Sequence, residues 1–164
     1  MAFVITNQLI GSQPIADTST VKNHPLGTIV QAKDNTLGGG EFIYLQGIGS
    51  TVVGSIVNYD DAYVTALDTA AVSGPSRPLA VAMSANVASQ YGWYQISGLA
   101  VATKSAAVSF ADGAGLGSAS GLAVAVATGT VLQGAVVRTV ASAKSGVTTV
   151  AIAINRPHGP SDVS

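Results

Sequence analysis

Gln90-Tyr91-Gly92-Trp93-Tyr94-Gln95-Ile96-Ser97-Gly98-Leu99-Ala100-Val101-Ala102 holds the one tryptophan of the chain and two of its five tyrosines. Most of the remaining sequence is Ala, Val, Gly, Ser and Thr, so side-chain bulk is concentrated here. From Trp93 to Ala102 the residues alternate as a strand does. Trp93, Leu99 and Val101 fall on one side, and Tyr94, Ile96, Ala100 and Ala102 on the other. Both sides are largely apolar. Such a strand is covered on both faces, or on one face by a partner chain.

Working outward, the other segments read as short strands broken by glycine, proline and acidic turns. Leu26–Asp34 is a strand, and the stretch from Asn35 to Gly40 is a flexible turn. Glu41–Leu45, Thr51–Tyr59 and Tyr63–Leu67 follow. Gly74-Pro75-Ser76-Arg77-Pro78 is a break, since prolines that close cannot sit in a central strand. Leu79–Ala85 and Leu122–Ala127 alternate large with small residues, which lets another layer approach the alanine side closely. Val131–Val140 and Val147–Ile154 complete the set. Gly134 marks a bulge or a close backbone approach in the first of these, and Asn155-Arg156-Pro157 stops the second. A helical turn is expected near Ser105–Val108.

About eight short strands predict an all-β, single-domain sandwich or barrel, jelly-roll-like, spanning residues 27–158. Residues 1–26 contain Phe3, Ile5, Leu9, Ile10 and Ile15 without a sustained period, and read as an extended N-terminal arm. Residues 159–164 read as a polar tail.

The chain of 164 residues is long enough for one substantial core. Only 9% of it is charged and 48% is hydrophobic, with a mean hydropathy of +0.45. A typical domain is about 25% charged, so this chain lacks the groups that keep a surface solvated and monomeric. A membrane helix is excluded by run length, because every apolar run ends well short of the roughly 20 residues a span requires. A membrane barrel should show aromatic girdles, and aromatic residues are 5% here. The first residues lack the basic region of a signal peptide. Surface hidden in an assembly is the better account. The net charge of −1 and the scattered Lys and Arg residues give no basic footprint for nucleic acid. The absence of cysteine removes disulfides and thiolate metal sites.

Candidate chemistry is thin. Thr36-Leu37-Gly38-Gly39-Gly40-Glu41 lacks the Lys-Ser/Thr of a phosphate loop and leads into a strand. Asp60, Asp61 and Asp68 form an acidic group whose plain reading is solvated turn carboxylates. His24 and His158 are too few for a metal site. Gly117-Ser118-Ala119-Ser120-Gly121 is no nucleophile elbow, because its context is not strand–turn–helix. No cofactor and no enzymatic activity are expected. Trp93, Tyr91 and Tyr94 are either core aromatics, an interface anchor or a platform for stacking a glycan.

Several stretches carry a resemblance. Leu26–Asp34 with Thr36–Leu45, then Tyr91–Gly98, and the closing Ile154-Asn155-Arg156-Pro157 resemble the capsid decoration, or cement, proteins of tailed bacteriophages. The resemblance implies a β-rich protein, often trimeric, located on the outer surface of the virion capsid. It would bridge major capsid subunits there and stabilise the expanded head, binding neither nucleic acid nor membrane. On that reading Phe3, Ile5, Leu9, Ile10, Tyr91, Trp93 and Tyr94 are the expected interface residues, toward the major capsid protein and toward two further copies of the chain. The alternative is a glycan-binding surface or fibre module built on Trp93, Tyr91 and Tyr94.

Overall fold

The computed structural model describes residues 4–5, 11–69, 76–126, 131–138 and 147–159. Among the described residues every regular element is a strand, and the strands number twelve rather than eight. They are β1 (Val4–Ile5), β2 (Thr18–Ser19), β3 (Ile29–Asp34), β4 (Gly38–Gln46), β5 (Ile56–Tyr59) and β6 (Thr65–Leu67). β7 (Leu79–Ala82), β8 (Tyr91–Thr103), β9 (Gly117–Ala119), β10 (Leu122–Val124), β11 (Gln133–Val137) and β12 (Thr149–His158) follow. The protein is all-β, as its period-two alternation predicts.

β8 is the spine. Along one edge it pairs with β4 from Tyr91 to Gly98. Other stretches of its length take β2 at Tyr91 and Gly92, β7 at Tyr94 and Gln95, and β12 from Ser97 to Thr103. The path then runs β8–β7–β5–β6, every pairing antiparallel. A parallel bridge between Gln46 and Val64 joins β6 back to the end of β4. There Gln46 N donates to Tyr63 O at 3.0 Å, and Thr65 Oγ1 donates to Gln46 O at 3.0 Å. β4, β8, β7, β5 and β6 therefore close into a small barrel, so β6 does not end the sheet as an open edge, and among the described strands β1 is the edge beyond β3.

Three cores result. The barrel interior holds Ile43, Leu45, Val57, Ala80, Ala82, Tyr94 and Ile96. The second core lies on the other side of β5 and β7, where Ile56, Leu79 and Val81 meet Ala100, Ala102, Val150, Ile152 and Val137. All four residues of β7 are buried because the strand divides these two cores. Its alanines face the crowded barrel and its large residues face the wider second core, so the layer that approaches the alanine side belongs to the same chain. The third core packs Val30, Ala32, Phe42, Tyr44 and Trp93 under Ile15.

Ile15 belongs to the segment expected as an arm. Residues 11–26 lie against the third core, stitched there by Gln13. Gln13 Nε2 donates to Asp17 O at 2.7 Å and Tyr91 O at 3.2 Å, while its Oε1 accepts from Asn23 Nδ2 and the Tyr44 hydroxyl. Its backbone N donates to His24 Nε2 at 3.2 Å, and its carbonyl accepts from Trp93 Nε1 at 2.9 Å. A buried amide with every group satisfied fixes one geometry rather than many. Periodicity is silent here because these residues are held by hydrogen bonds, not by a sheet face.

Two boundaries also differ from expectation. Gly38, Gly39 and Gly40 lie within β4, and the turn is confined to Thr36 and its neighbours, whose amides Thr36 N and Leu37 N donate to Asp34 Oδ1. β12 does not stop at Asn155 but continues to His158. Arg156, with φ +44°, lies in a bulge of β12, where Asn155, Arg156 and Pro157 face Gly134 alone. Gly134 is the point of close backbone approach, since a Cβ there would fall 2.8 Å from Asn155 O. The helical turn expected after Lys104 is a single turn, Val108 N to Ser105 O, clasped by the buried Lys104 ammonium donating to Val108 O at 2.7 Å.

Burial pushes the Tyr94 hydroxyl above its ordinary value, partly offset by hydrogen bonds with Asn86 and Thr65. A group whose folded value is raised contributes its stability fully below the unfolded value and loses it as pH rises through the folded value. Stability should therefore fall above about pH 10. Urea titrations at pH 8.5 and pH 11 would show it, and Tyr94→Phe should shrink the alkaline loss.

Candidate functional site

The register places four polar side chains in one row across neighbouring strands. Gln31 on β3 faces Glu41 on β4, Glu41 faces Ser97 on β8, and Ser97 faces Asn155 on β12. The row exists because β8 carries one extra residue, Ile96, between its pairings with Glu41 and Phe42. Without that bulge Ser97 and every residue beyond it would slip by one and turn to the other face.

Beside the row Gly39 leaves open space where a side chain would stand. Lys33 pairs with Gly39, and Gly40 pairs with Gly98. The outcome is an open groove of about 630 Å³ lined by Gln31, Lys33, Gly39, Gly40, Glu41, Ser97, Asn155 and Arg156. Beneath it lies Gln95, fully buried, its Nε2 donating to Ser97 O and Leu99 O while its Oε1 finds no partner. Arg156 Nη2 meets Glu41 Oε2 at 3.0 Å. Both side chains are partly solvated, so the pair positions the guanidinium more than it stabilises the fold.

Arg156 also borders a second, smaller hollow of about 250 Å³. Ile43 and Ile96 belong to the barrel interior, and with Ile29, Tyr59, Pro78, Leu79 and Pro157 they form this mouth of the barrel. Tyr59 stacks on Tyr63 with ring centres 6.4 Å apart. Tyr63 itself has φ +60° and lies so close to Gly27 that a Cβ there would fall 2.5 Å from the ring. The Tyr59 hydroxyl is raised by burial and by its neighbour Tyr63, and lowered by Arg156. The site thus joins a polar groove to an apolar mouth, with Arg156 between them.

The residues expected as an interface lie elsewhere. Trp93 and Tyr94 are fully enclosed within a single chain, on opposite sides of β8. Trp93 packs on Tyr44 at 4.9 Å and on His24 at 5.3 Å, and its one polar atom is used by Gln13. Neither ring offers a face to a partner or a glycan, which corrects both roles expected of them. Tyr91 is half-buried and stacks on Tyr44 at 6.4 Å. Ile5 sits in β1 opposite Ala32. Phe3, Leu9 and Ile10 lie outside the described residues.

The acidic group separates in space. Asp60 and Asp61 are exposed, and Asp60 Oδ1 accepts from the amides of Ala62 and Val64. Asp68 is buried, where it accepts hydrogen bonds from Ser118 and from Asn58 Nδ2. Ser118 therefore ties the β9–β10 hairpin to β6. Among the described residues no group of three His, Cys, Asp or Glu is placed to hold a metal ion. The polar row was not legible beforehand. Its four members lie on four strands, and only the bulge brings them into line.

Large apolar side chains remain exposed at a different place. Ile48, Val52 and Val53 lie on the loop after β4, and Val87 on the loop before β8, with exposures between 37% and 60%. Gly47 joins the two loops, its N donating to Gln90 O at 2.7 Å. The groove lies at the start of β4, so these loops are at the other end of that strand. No family model, no curated protein and no solved structure matches the chain.

Proposed function

We propose that this protein is a capsid decoration protein that binds the outer surface of an icosahedral phage head as a homotrimer. It would stabilise the head by bridging neighbouring major capsid subunits. The observation that carries the proposal is the pair of hydrogen-bonded loops that expose Ile48, Val52, Val53 and Val87 on a chain with very little charge. Monomers seldom leave such residues together without a partner. A capsid shell as that partner follows the resemblance carried by the sequence. A non-enzymatic role agrees with the separation of Asp60 and Asp61 from Asp68. Binding to a repeating lattice is multivalent, so modest contact per site suffices for firm attachment.

Light scattering of the purified chain should give three times the 16.3 kDa monomer mass. Mixing it with expanded, undecorated heads should yield co-sedimentation that is lost in the Val53→Asp/Val87→Asp variant. A well-folded monomer that ignores expanded heads would overturn the proposal.

A further inference from the structure

We propose that the groove across β3, β4, β8 and β12, with the barrel mouth beside it, is a binding site for a neutral oligosaccharide. One sugar of that ligand would carry an apolar substituent such as an acetamido methyl. The inference is independent of capsid attachment, which uses the loops at the other end of β4.

The chemistry of the row selects the ligand. Sugar hydroxyls both donate and accept, and so do the side chains of Gln31, Ser97 and Asn155. Lys33 and Arg156 add donors, and Glu41 adds acceptors. With Glu41 opposing two cations, the groove keeps one net positive charge, too little to select a polyanion. An added peptide strand is disfavoured as well, because the backbone of β4 and β8 is already committed to its ladders here. Three interstrand steps make the row about 14 Å across, long enough for a short oligosaccharide.

The shape agrees with the chemistry. Gly39, whose missing side chain would project into open space, lets a ligand approach the backbone there. At one end Tyr59, Ile29, Ile43 and Ile96 form an apolar recess with an aromatic ring at its wall. Such a recess takes the C–H face of a sugar or a methyl group, while the groove takes the hydroxyls. The site is also held ready. Arg156 occupies the left-handed region at φ +44°, a conformation kept only where the surroundings enforce it, and Glu41 fixes its guanidinium.

The test is a glycan array probed with the full chain, carrying neutral, acetamido-bearing and sulfated oligosaccharides, followed by calorimetric titration of the best ligand. Neutral acetamido glycans should bind. Asn155→Ala and Glu41→Gln should each weaken binding roughly tenfold, the ratio expected for one lost hydrogen bond. Both variants should keep the wild-type melting temperature and the wild-type attachment to heads. Binding confined to sulfated glycans and abolished by salt, binding indifferent to both variants, or no glycan binding at millimolar concentration would each overturn the proposal. Loss of head attachment with glycan binding intact would instead count against the decoration role alone.

Discussion

Trp93→Ala should destabilise the protein by about 4 kcal/mol, the middle of the range for removing a large buried aromatic. The indole is fully buried, and its removal opens a cavity between Tyr44, His24 and Ile15. It also strips the Gln13 carbonyl of its donor, so a buried acceptor is left unsatisfied at the point that holds residues 11–26 to the sheet. For a chain of this length a loss of that size corresponds to a fall of about 8–16 °C in melting temperature. Trp93→Phe keeps most of the volume and should cost less than half as much. Urea unfolding at neutral pH would measure both. If Trp93→Ala lowered head binding while leaving stability unchanged, the enclosed core described for this residue would be wrong.

Gly98→Ala should cost about 3 kcal/mol or more, although it adds a single methyl group. Gly98 has φ +102°, where residues with a Cβ are strained. A Cβ there would also fall 2.4 Å from Gly39 O and 3.0 Å from Gly40 Cα. Those atoms belong to the β4 backbone, which cannot move aside as a flexible side chain would, so overpacking adds to backbone strain. The neighbouring β4 ladder would have to separate where Glu41 and Ser97 face each other, so the polar row should lose its alignment. Gly39→Ala is the contrast. Open space surrounds its would-be Cβ, so its effect on stability should be within about 0.5 kcal/mol. Thermal unfolding of the pair separates the two cases, and equal losses would show that the bulge in β8 is not as placed.

Much of the strand inventory follows from alternation alone. β3, β4, β7, β8 and β12 are all recognisable by their period, and Gly134 marks a close backbone approach to β12. Other features lay beyond local pattern. Arg156-Pro157 reads as a stop, yet the strand continues, because β12 bulges there, with Asn155, Arg156 and Pro157 facing Gly134 alone. Thr51–Tyr59 reads as one strand, yet its first part turns, with Ser55 N donating to Val52 O. Residues 11–26 read as an arm, since no periodicity reveals a segment fastened by one glutamine.

The all-β class, the position of the spine strand and the scarcity of charge are each written in local residue order or composition. The role of that central strand depends on contacts made far along the chain. Its alternation places Trp93 and Tyr94 on opposite faces, but which surfaces cover those faces depends on β6 returning to Gln46 and on Gln13 reaching Trp93 across 80 residues of chain. The polar row has the same origin. Gln31, Glu41, Ser97 and Asn155 become neighbours through strand register and one inserted residue, and register is a property of paired strands that no single strand contains.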